Sequence, residues 1–327
     1  MRLLLRVVSV VAAVLLTLAC TSAPRSTRTD PFPPPPDPLP AAEPGTSRIA
    51  FSGDDGEIHV LSLPDGGDRA VTSIRGPQFD PDGHGRLLVF RDSRAGVNVN
   101  DDIAVIRDDG TGFRNLTRTE DANEWGPVWS PDGRRIAYSS DEDGIPQILV
   151  MEADGSNPQR LSDTWGEYPA WSPDGTRIAF ESMTGGTTPF GDPAYDVFVM
   201  DADGTDAVNL TDSPDSADTY PTWSPDGEWI AFESTGGTPA DYEPPPHDPE
   251  RESDEDVWVM RSDGSDARNL TSDLVHQDEF PDWSTRGLLI TREGTILILD
   301  PGTGAVDDVS ERTGVLGTFA AWIETYG

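Results

Sequence analysis

Short apolar runs, each closed by a cluster of Pro, Asp and Gly, recur along the chain. The clearest is Trp171-Ser172-Pro173-Asp174-Gly175, read on into Ile178-Ala179-Phe180. Copies begin at Trp129, before Ile136-Ala137-Tyr138, and at Trp223, before Ile230-Ala231-Phe232. Two weaker copies are Phe79-Asp80-Pro81-Asp82-Gly83 before Leu87 to Phe90, and Trp283-Ser284 before Leu288 to Ile290. Proline presets the first turn torsion and glycine takes a positive one, so each copy predicts a hairpin of two strands. A second pair follows: Asp196 to Met200, a turn at Asp201-Ala202-Asp203-Gly204, then Asp206 to Thr211. The same pair recurs around Asp154-Gly155 and Asp263-Gly264. Four antiparallel strands per unit predict a propeller blade.

The anchoring aromatics are Phe79, Trp129, Trp171, Trp223, Trp283 and Trp322, a period of about forty residues with insertions. Arg48-Ile49-Ala50-Phe51 has a second, third and fourth strand but no anchor before it, and Trp322 has nothing after it. The two fragments complete one another. The expected fold is therefore all-β: a six-bladed β-propeller of four-stranded antiparallel blades over residues 46–327, closed by pairing of the C-terminal strand with the N-terminal blade. Closure removes exposed sheet edges, which otherwise invite aggregation.

Residues 1–19 read as a signal peptide: Arg2 and Arg6 precede the apolar run Val7 to Leu18, too short to span a bilayer. Ala19-Cys20 resembles a lipobox, with Thr17 departing from its usual aliphatic residue, and Cys20 is the chain's single cysteine. Residues 20–45 then form a lipidated N-terminus and a Pro-rich tether, including Pro33 to Pro36, which places the domain outside the bacterial cell membrane, anchored to it rather than spanning it. Acidic residues number 59 against 23 basic, so nucleic acid and anionic lipid are repelled. Every basic residue is arginine, which excludes Schiff-base chemistry.

The Trp-Ser-Pro-Asp-Gly turn, the Ile-Ala-Phe strand and the Val-Met-x-x-Asp-Gly hairpin together resemble the WD-like repeat of the TolB β-propeller, over about 280 residues. The resemblance implies a surface that binds envelope proteins or peptides. TolB is a soluble periplasmic protein with an additional α/β domain before its propeller; here a proline-rich tether stands in that place.

In such blades the first-to-second and third-to-fourth turns share one end, and their near-identity from copy to copy marks that end as structural. The other end receives the inter-blade connections and the second-to-third loops, of which Met183 to Ala194 and Thr235 to Glu255, with Tyr242, Pro244 to Pro246, His247 and Arg251, are long insertions. The inter-blade connections there carry Glu124-Trp125, Glu167-Tyr168, Asp218 with Tyr220, and Asp278-Glu279-Phe280. These acids are expected to line a funnel that attracts a basic peptide or envelope protein, or a hard cation such as calcium; no other cofactor is expected. Asp102, Asp196 and Asp256 open the third strand in three blades and are expected to bond between strands, with Ser182 or Ser234 as partners. Asn115, Asn209 and Asn269, each before Leu-Thr, fit the glycosylation pattern but share one blade position, which repeat geometry explains better.

Catalytic motifs are missing: the sequence has no Gly-x-Ser-x-Gly, no His-Glu-x-x-His and no phosphate-binding Gly-x-x-x-x-Gly-Lys. His59, His84, His247 and His276 are too scattered for a zinc site. The favoured reading is a monomeric, non-catalytic, membrane-anchored binding module of the cell envelope. The alternatives are a carbohydrate-active lyase or hydrolase with a carboxylate-lined funnel, and a purely structural envelope protein.

Overall fold

The computed structural model describes residues 47–324 apart from 65, 74–75, 94–99, 189–190, 237–254 and 272–276. The signal peptide, Cys20, the tether, the bulk of the 235–255 insertion and His276 lie outside the described residues. The chain divides at Asp37, and everything described belongs to the unit Pro38–Gly327.

In chain order the strands are β1 (Ser47–Ser52), β2 (Ile58–Leu63), β3 (Gly67–Ala70), β4 (Gln78–His84), β5 (Leu87–Ser93), β6 (Asp101–Arg107), β7 (Arg114–Asn115), β8 (Glu124–Trp129), β9 (Arg135–Ser140), β10 (Gln147–Glu152), β11 (Gln159–Arg160) and β12 (Glu167–Trp171). There follow β13 (Arg177–Thr187), β14 (Pro193–Asp201), β15 (Val208–Asn209), β16 (Asp218–Trp223), β17 (Trp229–Ser234), β18 (Asp256–Arg261), β19 (Arg268–Asn269), β20 (Asp278–Ser284), β21 (Gly287–Arg292), β22 (Thr295–Leu299), β23 (Val306–Asp308), a one-turn helix α1 (Val309–Thr313), and β24 (Thr318–Glu324). Strands β8–β11, β12–β15, β16–β19 and β20–β23 form four separate four-stranded sheets. Strands β1–β7 and β24 form one eight-stranded sheet in the order β3-β2-β1-β24-β4-β5-β6-β7. The molecule is an all-β propeller of four-stranded antiparallel blades.

The predicted meeting of the chain ends is present in register: β24 runs antiparallel to β1, with Ile49 opposite Trp322 and Ala50 opposite Ala321. The same anchor pair recurs as Trp129 with Ile136, Trp171 with Ile178, Trp223 with Ile230 and Trp283 with Leu288. In β4, however, the residue at this place is Gly83, opposite Leu88. Phe79 is therefore not an anchor, and Phe79-Asp80-Pro81-Asp82-Gly83 is not a turn but the body of β4; the chain reverses at Gly85, with φ 63°. The missing side chain at Gly83 has a structural consequence. A Cβ there would lie 2.9 Å from the Cα of Ile323, so its absence lets β24 approach β4 and pair with it in parallel, through Ile323 with Gly83 and Glu324 with His84. That contact fuses two expected blades into one sheet, giving five sheets among the described residues rather than six.

The Met183 to Ala194 insertion lies between the second and third strands of its unit, as expected. Much of it continues the ladder between β13 and β14, with Met183 opposite Tyr195 and Thr187 opposite Pro193.

The core lies between consecutive four-strand units. Because strand side chains alternate, the Ile-Ala-aromatic run sends Ile136 and Tyr138 into a cluster with Val89, Val105 and Trp129, while Ala137 packs on the other face with Trp171, Ile178 and Phe180. The small residue makes room for the next unit's indole. The arrangement repeats with Ala179 against Trp223 and Ala231 against Leu288, and a further cluster joins Leu289 and Ile296 to Ile49, Leu61 and Trp322. Arg135 and Arg177 cover faces of the Trp171 and Trp223 indoles, each 4.5 Å from the ring centroid, in cation–π contact.

The turns are built from side chains. Ser172 Oγ donates to Asp174 and accepts from the Arg177 amide, while Asp174 accepts from the Thr176 amide. Ser130 with Asp132 and Ser224 with Asp226 repeat this network. In the third-to-fourth turns, Gly155, Gly204 and Gly264 have φ of 86–90° and lie against the carbonyls of Leu116, Leu161 and Leu210 in the preceding unit, where a side chain has no room. These turns tie neighbouring units together.

Candidate functional site

Six strands, β4, β8, β12, β16, β20 and β24, each carry a register shift at the same place. There one residue adopts the left-handed conformation: Asp80, Gly126, Tyr168, Tyr220, Phe280 and Phe319, with φ between 45° and 57°. Such torsions cost a bulky residue on the order of 1–3 kcal/mol. Proline follows in all but β24, where Ala320 stands instead. Proline suits a strand position without a ladder partner because it has no N–H to satisfy. The bulge turns the left-handed residues toward a common centre. The rings of Tyr168 and Tyr220 are 4.3 Å apart, those of Tyr220 and Phe280 4.8 Å, and those of Phe280 and Phe319 4.0 Å. Gly126 leaves the gap that Tyr168 fills, since a Cβ there would be 2.9 Å from the Tyr168 ring.

These residues line a cavity of about 150 Å³. It meets a wider cavity of about 400 Å³, the two sharing Asp82, Val128, Ala170, Thr222 and Asp282. Pro131, Pro173 and Pro225 line the wide part, which places it at the end bearing the Pro-Asp-Gly turns. The shared residues also stitch neighbouring inner strands. Asp82 accepts the amide of Trp129 at 2.7 Å, Asp282 that of Trp322 at 2.6 Å, and Thr222 Oγ1 that of Trp283 at 3.3 Å.

The acids expected to line a funnel begin the inner strands, at the end away from the Pro-Asp-Gly turns. Glu124, Asp218 and Asp278 are buried, Glu167 is half-buried, and none of the four lines either of these cavities. Glu124 accepts from Thr117 and Thr119 at 2.9 and 2.8 Å, and burial pushes its carboxyl up to about 7 against those bonds. Asp218 accepts from Ser216 and Ser234, burial again raising its carboxyl. Asp278 is held by both ends of the Arg292 guanidinium at 2.7 Å. Burial also raises Glu167, which accepts from the indoles of Trp165 and Trp125. Glu279 is half-buried, like Trp125. Glu124, Glu167, Asp218 and Asp278 each hold local bonds, and Tyr168, Tyr220 and Phe280 are brought together in a chain of ring contacts.

Sequence reading missed the groups beneath that ring. Glu181 accepts the amide of Tyr220 at 2.9 Å, Glu233 that of Phe280 at 3.3 Å, and Ser139 Oγ that of Tyr168 at 3.0 Å. Each amide belongs to a left-handed residue that the bulge removes from the strand ladder. Burial pushes Glu181 up to about 8 and Glu233 well above the carboxylate range. The signal was the repeated Phe-Glu-Ser at Phe180-Glu181-Ser182 and Phe232-Glu233-Ser234.

The aspartates opening the third strands do bond between strands, but to the fourth strand and not to Ser182 or Ser234. Asp196 accepts from Asn209 at 2.6 Å and Thr211 at 3.2 Å, and Asp256 from Asn269 and Thr271 likewise. Asp102 holds Asn115 in the same way, which is the structural use of the Asn-Leu-Thr triplets. Among the described residues no three His, Cys, Asp or Glu side chains are arranged to hold a metal ion.

A family model described as the TolB beta propeller domain matches residues 40–192. The chain is 38% identical over 131 residues to an uncharacterized protein, Atu1656, of Agrobacterium fabrum, covering 36% of this chain and 41% of that protein. It is 33% identical over 103 residues to the Tol-Pal system protein TolB of Anaeromyxobacter dehalogenans, covering 30% of this chain and 22% of that protein. The matched segments thus span less than half the length of either relative. Among solved structures, TolB from Acinetobacter baumannii superposes with a TM-score of 0.61 at 16% identity, over 86% of this chain and 66% of that one. By repeat sequence and by fold, this chain carries a TolB-like β-propeller.

Proposed function

We propose that the chain is a non-catalytic binding module of the cell envelope: a closed ring of six blades, held to the outer side of the membrane through Cys20, that engages an envelope protein or peptide. In this reading β24 serves as the innermost strand of the blade formed with β1–β3, and the Gly83 contact joins that blade to the next without merging them functionally. The engaging end is the one that carries the inter-blade connections and the second-to-third-strand loops. The observation that carries this choice is the contrast between the two ends. Turn chemistry is copied from unit to unit at one end, whereas the other bears the extended β13–β14 hairpin and the half-buried Trp125 and Trp165 gathered on Glu167. Variable features on a rigid scaffold are where recognition concentrates. A non-catalytic role is supported by the bonding of Glu124, Asp218, Asp278, Glu181 and Glu233, each engaged with neighbouring side chains or amides.

The test is affinity capture of the anchored protein from its native envelope after cross-linking. Trp125→Ala with Trp165→Ala is expected to lose the captured partner with the thermal transition retained, while Asp174→Asn at the opposite end keeps it. Retention of the same partner by the double tryptophan variant sinks the assignment of the engaging end. Cys20→Ala is expected to release the protein from the membrane fraction; unchanged fractionation overturns the lipid anchor.

A further inference from the structure

Positive charges are few in this chain, and most are engaged. Arg86, Arg160, Arg261 and Arg292 are ion-paired, and Arg135 and Arg177 lie on indoles. Arg114 and Arg118 differ. Among the described residues neither guanidinium has a carboxylate within 4.0 Å, a hydrogen-bond acceptor or an aromatic face to cover. Both line one open cavity of about 490 Å³ on the β4–β7 unit, together with Asp102, Phe113, Asn115 and Thr119.

The same places in the two following units lack this charge. Arg114 stands opposite Val105, as Gln159 stands opposite Val150 and Val208 opposite Val199. Four residues on, Arg118 takes the place held by Asp163 and Asp212. Arg118 and Asp212 share a left-handed torsion, φ 51° and 47°, and their amides donate to the Oδ1 of Asn115 and Asn209, each at 3.1 Å. Aspartate adopts this torsion more readily than most residues, so the local backbone accounts for the acid and not for the arginine. The third counterpart of Arg114, Arg268, covers the Trp229 ring. Asp102, the one carboxylate of the lining, already accepts from Asn115, Thr117 and the Thr119 amide. Asp154 of the next unit is within electrostatic reach of Arg114 and accepts the Ser156 amide. The two guanidinia remain as the cavity's open donors.

A guanidinium presents its N–H groups as a rigid fork that pairs with carboxylate or phosphate oxygens. A carboxylate has a single oxygen edge, which one fork covers. A phosphate group has several such edges and carries up to two charges, so it engages two forks at once. We propose that this cavity binds a phosphate group, with Arg114 and Arg118 as its two ligands. The site does not depend on the function proposed above, whose Trp125 and Trp165 do not line it. Free phosphate and the phosphate of an ester share the chemistry.

The formal charge of −36 at pH 7 repels anions in general, so saturable binding reports a local site. Calorimetry on the full chain at low, constant ionic strength is expected to show inorganic phosphate binding saturably and about tenfold or more tighter than acetate. Arg114→Val and Arg118→Asp install the residues that the β12–β15 unit carries at these places, Val208 and Asp212, and are expected to keep the wild-type melting temperature without phosphate. Each is expected to weaken phosphate binding about tenfold or more. Arg134→Gln, which removes an exposed arginine elsewhere, is expected to leave it unchanged. The comparison of phosphate with acetate on the wild type decides the matter even if a variant does not fold. Glycerol 3-phosphate that binds at least as tightly as inorganic phosphate identifies an ester as the source; binding of inorganic phosphate alone identifies the free ion. Absence of saturable phosphate binding overturns the site, as does acetate binding equally well, phosphate binding unchanged in both site variants, or an equal loss in Arg134→Gln.

Discussion

At the scale of single residues, the most consequential groups are the carboxyls buried under the bulges. Glu181 serves as a hydrogen-bond acceptor for the Tyr220 amide in a setting that disfavours its charge. Its folded pKa is raised from 4.5 to about 8, so the unfolded chain loses this proton first as pH rises. Between about 4.5 and 8 the folded state holds the extra proton, and stability falls with rising pH across that window. Glutamine keeps an acceptor and cannot ionise. The melting temperature of Glu181→Gln relative to wild type is therefore expected to be nearly level at pH 4.5 and to rise steadily to pH 8. Glu124→Gln is expected to show the same trend with its upper limit near pH 7. A flat difference across the window contradicts a neutral buried carboxyl. Little of this was readable beforehand. The sequence displays the acids, but whether a carboxylate points into a channel or back into its own blade depends on a bulge that no composition reveals. The aromatic partners Tyr168, Tyr220 and Phe280 are legible because they stand beside the acids of the inter-blade connections, whereas Phe319, at the same distance from its anchor Trp322, is preceded by Gly317-Thr318 and carries no such acid.

At the scale of elements, the strands and turns were legible because each carries its own local chemistry. The Ser-x-Asp-Gly turn closes itself through side-chain bonds, and the Ile-Ala-aromatic strand states its burial by alternation. The failure at β4 shows the limit of this reasoning. Asp80-Pro81-Asp82-Gly83 has turn composition, yet Gly83 pairs with Leu88 inside a ladder, because the place beside it is taken by Ile323 from the far end of the chain. Two substitutions test the packing. Gly83→Ala sets a methyl 2.9 Å from the Ile323 backbone, and overpacking of this kind costs about 1–3 kcal/mol. Gly67→Ala, with nothing within 4 Å of the new methyl and no left-handed torsion, is the control and is expected to stay within about 0.5 kcal/mol. Ala179→Leu pushes into the space taken by Trp223 and is expected to cost about 1–3 kcal/mol in urea unfolding. Equal midpoints for Gly83→Ala and Gly67→Ala contradict the close approach of β24.

At the scale of the whole molecule, the decisive interaction joins residues far apart in sequence. The proposed ring stays shut only while β24 holds β1, and the cluster of Ile49, Trp322, Leu289 and Ile296 is formed from both ends of the propeller. Such contacts are reached only after most of the chain is ordered, which makes this seam the natural place for opening. Ala50 and Ala321 are directly opposite partners across it. Opposed antiparallel residues have Cα separations of about 4.5–5.5 Å, within the range a disulfide spans. Ala50→Cys with Ala321→Cys, in a Cys20→Ser background to prevent mispairing, therefore places a covalent clasp on the seam. Cross-linking across a loop this long removes denatured-state entropy worth about 5 kcal/mol in the chain-entropy model, less whatever strain the bond introduces. The oxidised form is expected to unfold at distinctly higher urea concentration than its own reduced form, with the reduced form close to wild type. If opening begins at this seam, the clasp also slows unfolding by much more than it alters refolding, because a closed seam is a late contact. Oxidised and reduced forms that unfold at the same rate place the first opening elsewhere in the ring, and failure of the two cysteines to pair under mild oxidation contradicts the register that brings the chain ends together.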